Sequence, residues 1–137
     1  MSQYYKLGDR TLWNPPNGAS RLFMSHVTVY QTQVGLPSGI SPTDADECQI
    51  DPIAFAAFVD ALLAWHSETR NAIMTTMSEG FVATVLTLAE KANIEVNWQA
   101  AEHAESRYLK TTSDPRAREW TAALQQRSRE LTRHMAT

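Results

Sequence analysis

A single mainly α-helical domain is what this 137-residue sequence predicts, with about four to five helices around a central helical hairpin and a small β-hairpin at the N-terminus. Three observations carry that expectation. Residues 51–92 place apolar side chains at three-and-four spacing on two successive segments. An acid followed by proline, the start signal of a helix, occurs at Asp51-Pro52 and again at Asp114-Pro115. Short alternating segments suited to a hairpin flank Gly8-Asp9. The length allows one domain, 1–137, with a real core and is too short for two ordinary ones.

Taken in order, Gln3-Tyr4-Tyr5-Lys6-Leu7 and Arg10-Thr11-Leu12-Trp13 form the expected hairpin. Two strands alone are marginal, so the pair must lean on the helices. Trp13-Asn14-Pro15-Pro16-Asn17-Gly18 turns the chain, because each proline lacks a backbone donor and restricts the residue before it. Residues 19–34 have an ambiguous period. Leu22, Phe23, His26, Val27, Tyr30 and Val34 make a helical face, whereas Val27-Thr28-Val29-Tyr30 suits a strand. Caps at Asn17, Gly18 or Ser20 and a stop at Gly35 favour helix. Leu36 to Asp46 reads as a loop, closing on the acids Asp44, Asp46 and Glu47 before Cys48.

The central hairpin begins at Asp51. Phe55, Phe58, Val59, Leu62, Leu63 and His66 share one face, and alanines fill most of the others, so this helix can be surrounded. From Asn71 to Ala92, Met74, Met77, Phe81, Val85 and Leu88 form a stripe that Ile73, Val82 and Leu86 widen. Ser67-Glu68-Thr69-Arg70 joins the two segments, as a hairpin or as one helix bent near Gly80. A weaker helix is expected over 98–110, from Trp98, Ala101, Tyr108 and Leu109. The last helix carries a narrow seam of Ala117, Trp120, Leu124 and Leu131, interrupted by Arg127. That seam closes over the domain's own core or pairs with a second copy, which leaves a homodimer open.

Composition bounds the function. A hydrophobic share of 43% with 20% charged residues is that of a soluble globular chain. Neither a membrane span nor a secretory leader is expected. Cys48 is the only cysteine, so no intrachain disulfide forms and a reducing cytoplasm is the expected compartment. The net charge of -3 is unevenly spread: residues 95–137 carry seven basic and six acidic side chains. The acids are interleaved through that mildly basic end, and the pI is about 5.8, so no nucleic-acid partner is expected.

The reactive side chains are sparse. His26, His66, His103 and His134 fall on separate expected helices with no local pair, so no metal is expected. Cys48 stands beside acids that raise a thiol pKa, which suits a structural role. Asp44, Asp46 and Glu47 serve as an acid/base pair, as a grip on a cation, or as solvated loop acids. Phosphate cradles, nucleophile elbows and dinucleotide fingerprints are missing from the sequence, so no cofactor is expected. Met24, Met74 and Met77 with Phe23, Phe55, Phe58 and Phe81 either fill the core or line an adaptable groove. Trp13, Asn14, Asn17 and Arg21 set an aromatic, two amides and a guanidinium at one rigid turn. That is either a structural turn or the wall of a peptide-binding cleft. His66 lies on an apolar face and reads as core; His26, near Arg21 and Tyr30, is the better functional candidate.

The segments Leu12-Trp13-Asn14-Pro15-Pro16-Asn17-Gly18, Gly35-Leu36-Pro37-Ser38-Gly39 and Ala45-Asp46-Glu47-Cys48 resemble those of a small actinobacterial family. Within it, size and pattern over the first two thirds of the chain resemble the lysinoalanine-forming proteins of the duramycin and cinnamycin lanthipeptide pathways. The resemblance implies cofactor-free addition of a lysine amine to a dehydroalanine within a modified precursor peptide. It assigns no functional residue to a numbered position. The residues themselves suggest a substrate-binding cleft lined by Trp13, Asn14, Arg21, Phe23 and Tyr30, with His26 or Glu47 as the catalytic base unless the substrate supplies it. Holding the two groups in reacting geometry contributes about 7–11 kcal/mol, enough for a template with few reactive groups. The reading from another class is a non-catalytic immunity or accessory protein that binds a partner through its acidic loop or helical seam.

Overall fold

The computed structural model describes residues 2–96 and 115–135. The elements are β1 (Tyr4–Leu7), β2 (Arg10–Trp13), α1 (Asn17–Val34), β3 (Glu47–Gln49), α2 (Pro52–Glu68), α3 (Ala72–Lys91) and α4 (Pro115–His134). The architecture is mainly α, as expected, with four helices among the described residues. The helix expected over 98–110 lies outside them.

The expected hairpin is two thirds of a sheet. Its strand order is β2-β1-β3, and β3 pairs parallel to β1 with Tyr5 opposite Cys48. Three residues are too few to show alternation, and parallel pairing requires a long crossover, here through α1, so no local signal announces it. The pairing seals Tyr5 and Cys48 completely. The Tyr5 hydroxyl meets Ser20 Oγ at 2.8 Å, and burial pushes its pKa up to about 12. Ser20 is thereby used against the sheet, and neither it nor Asn17 caps α1 as expected; Pro16 holds the N-cap position without a side-chain bond.

β3 is entered through a two-residue turn in which Asp44 and Glu47 exchange backbone bonds of 2.9 and 3.0 Å. Both central residues are left-handed, Ala45 at φ 50° and Asp46 at φ 64°. Alanine has no local compensation there, so Ala45→Gly relieves about 1–2 kcal/mol of steric cost and forfeits about 0.4–1 kcal/mol of chain entropy. A net gain of about 0.5–1 kcal/mol is expected, read as a higher denaturant midpoint at unchanged slope.

α1 settles the ambiguous stretch as helix. Phe23, Val27 and Tyr30 turn into the core, and Thr28 returns its hydroxyl to the Met24 carbonyl at 3.1 Å. Gly35, at φ 73°, ends the helix as expected, with its N–H on the Gln31 carbonyl. α2 starts where Asp51 accepts from Ile53 N and Ala54 N, and all six residues of its expected face are buried. α3 is a separate helix capped by Asn71, and Gly80 does not interrupt it. By length and composition alone α3 is apolar enough to cross a membrane; half of that stretch is buried within the fold.

The expected α3 stripe is only partly buried. Phe81, Val82, Val85, Leu86 and Leu88 are inside, but Ile73, Met74 and Met77 are exposed, because in the first turns of α3 it is Ser78 that turns onto α2, against His66. α4 closes over the lower part. Leu124 is fully buried, and Thr87 Oγ1 lies 3.0 Å from Ser128 Oγ, a hydroxyl pair that requires close approach of the two helices. The seam on α4 therefore contributes to the chain's own core. His66 is also core: its Nδ1 is 2.6 Å from Ser78 Oγ, which donates to the Met74 carbonyl, so Nδ1 carries the proton. Burial lowers the His66 pKa to about 4.

Candidate functional site

Where α1, the exposed half of α3 and the end of α4 converge, they leave an open cleft of about 420 Å³. α1 contributes Ala19, Leu22, Phe23 and His26, and α3 contributes Met77, Gly80, Phe81 and Thr84. Leu131, His134 and Met135 close one end, and Trp13 reaches in from the end of β2. The helical spacing explains the set: 22 and 26 on α1, and 77, 80, 81 and 84 on α3, recur at three or four residues and so share one face of each helix.

An aromatic assembly makes the wall rigid. Trp13 meets Phe23 edge-on at 5.3 Å, and Phe81 lies 5.7 Å from Phe23. Tyr30 stacks on Phe81 at 4.5 Å with the planes 8° apart. The His26 ring lies nearly parallel to Phe81 at 5.8 Å. His26 Nδ1 is 2.8 Å from the Leu22 carbonyl, which can only accept, so Nδ1 holds the proton and Nε2 is the basic nitrogen of the neutral ring. None of the described lining residues is Asp, Glu, Lys or Arg. A neutral amine is therefore accommodated here more readily than an ammonium, which would lose hydration without gaining a counter-charge.

Of the residues singled out from sequence, Trp13, Phe23 and His26 meet in this cleft. Tyr30 is behind the wall, 8% exposed, with its hydroxyl pKa raised by burial; it supports the lining from inside. Arg21 faces elsewhere, into a polar recess of about 380 Å³ with Gln3, Asn17, Ser20 and Thr43. Asn14 lines neither space; its buried Oδ1 has no hydrogen-bond partner among the described residues. Glu47 sits on β3, where it accepts from Lys6 Nζ at 3.1 Å, and it too is absent from the cleft lining. The Trp13, Asn14 and Arg21 cluster is thus divided, because the helix starting at Asn17 turns position 21 away from the face that carries Phe23 and His26.

Gly80, His134 and Met135 are lining residues that were not assigned to a site from sequence, whereas Met77 and Phe81 stood there as core or as the lining of an adaptable groove. Gly80 and Met77 left a signal, a glycine inside a strong helical pattern and an apolar residue on a stripe too long for its neighbours. His134 and Met135 left none, since only tertiary packing brings the end of α4 to α1. No group of three or more His, Cys, Asp or Glu among the described residues is placed to hold a metal ion.

The whole chain, residues 1–137, matches a family of unknown function, DUF6086, and the protein belongs to that family. No curated protein matches it, and no solved structure does.

Proposed function

We propose that the protein is a template that grips a modified precursor peptide in the cleft between α1, α3 and α4 and brings a lysine amine onto a dehydroalanine. The observation that carries this reading is the meeting of Trp13, Phe23 and His26 on one apolar wall without a fixed charge among the described lining residues. Aromatic walls hold a peptide side chain at low conformational cost. The nitrogen lone pair adds to the terminal alkene carbon, forming the N–C bond. The π electrons pass toward the neighbouring carbonyl, and the α-carbon is then protonated. His26 Nε2 accepts the proton that the nitrogen loses, so the product is an isomer of the reactant.

The test is incubation with a dehydrated, thioether-bridged precursor. Loss of the free lysine amine and of the alkene at unchanged mass is expected, and an unaltered peptide removes the reading. His26→Ala is expected to slow ring closure by about 10² or more if the histidine is the base. Equal rates remove His26 as the base.

Leu22 and Met77, 62% and 72% exposed at the cleft mouth, favour a second reading, docking of a partner protein without chemistry. It predicts a stoichiometric complex in which neither component changes mass.

A further inference from the structure

We infer that Gly80 makes the cleft a seat for one uncharged aromatic side chain of the bound polypeptide, its ring laid against bare α3 backbone; this rests on the cleft reading above. Gly80 lies in the middle of α3 and has no positive φ. A Cβ built on it meets nothing within 4 Å. Neither backbone conformation nor packing within the chain therefore requires glycine, which weakens a helix interior relative to alanine. The visible consequence of the missing side chain is open space on the cleft face.

What fills that space is bounded by its surroundings. The described lining offers no counter-charge, so a charged side chain would be desolvated without compensation. Thr84, one turn beyond Gly80, returns its hydroxyl to the Gly80 carbonyl at 2.7 Å. The neighbouring Trp13 ring and Met77 thioether favour a flat π surface, while Phe81, stacked on Tyr30 and 7% exposed, backs them from within. The volume of about 420 Å³ is toward the small end for ligand sites, which admits a ring beside a few other groups of a peptide and not a folded partner.

Methyl-labelled protein titrated with capped amides of Trp, Phe, Leu, Lys and Glu tests this. The Trp and Phe amides are expected to shift the Met77 and Leu131 methyl signals, the Leu amide to bind less, and the Lys and Glu amides not to bind. Gly80→Ala is expected to weaken the Trp amide about tenfold while its thermal midpoint stays level or rises by about 2–4 °C. Gly80→Ser provides a second small addition at the same point. Unchanged binding by both variants overturns the role of Gly80 and leaves the cleft reading intact. Equal binding of the Leu or a charged amide overturns the aromatic assignment alone. If neither the amides nor the bridged precursor moves the cleft methyls, both readings fall.

Discussion

Replacing Gly39 by alanine is expected to remove about 3 kcal/mol of stability, a large part of what a domain of this size possesses. Gly39 has φ 76°, a left-handed conformation that costs a β-carbon-bearing residue about 1–2 kcal/mol. The added Cβ would also lie 2.8 Å from Phe55 N, 2.9 Å from Ala54 Cβ and 2.9 Å from the Asp51 carbonyl oxygen. Two of these are backbone atoms of the first turn of α2, which is further fixed by the bond from Asp51 N to the Gly39 carbonyl. Forcing that turn away adds about 1–3 kcal/mol, as overpacking does elsewhere. Gly35→Ala separates the two contributions. Gly35 has nearly the same φ of 73°, but nothing lies within 4 Å of its Cβ, so only the conformational part of about 1 kcal/mol is expected. Denaturant midpoints at unchanged slope give the comparison, and equal losses in the two variants would refute the close-approach argument.

Acidification should produce the second large effect. His66 is 1% exposed, and its pKa of about 4 in the fold lies below the ordinary 6.5. Between those values the unfolded chain binds a proton that the folded one refuses, so stability falls as pH drops from 6.5 toward 4 and this contribution then levels off. Above 6.5 the contribution is fully present. A separation of that size corresponds to about 3 kcal/mol. Urea midpoints between pH 7.5 and 4 would show the loss, and carboxylates add to it only toward the acidic end. His66→Asn keeps a donor near Ser78 and removes the titration, so its stability curve should be flatter through pH 5–6 by one proton. The ring resonances of His66 give a separate check: a midpoint near 6.5 in the folded protein would sink the prediction.

Much of the helical frame was legible in the sequence. Asp51-Pro52 and the face from Phe55 to His66 identify α2, because cap, proline and apolar spacing agree. α1 was undecided over Val27–Tyr30, where β-branched residues compete with the helical period, and burial of Phe23, Val27 and Tyr30 on one side decides it. β3 was hidden because a three-residue strand is defined by its neighbour β1 and hardly at all by itself. The cleft was half visible. Trp13, Phe23 and His26 were named from their types and proximity in sequence, whereas Arg21 was grouped with them although the helix carries it to a different face. Glu47 looked available and is held by Lys6, a residue far away along the chain.

The central position of β1 in the sheet bears on how the chain assembles during synthesis. Tyr4–Leu7 is synthesised before Glu47–Gln49, so one of its edges has no partner until Gln49 has been made. Until then Tyr5, destined to be fully enclosed, stands open to water and to any other extended segment nearby. A fusion or mutation that delays β3 should lengthen that vulnerable interval and lower soluble yield, while leaving the finished protein as stable as before.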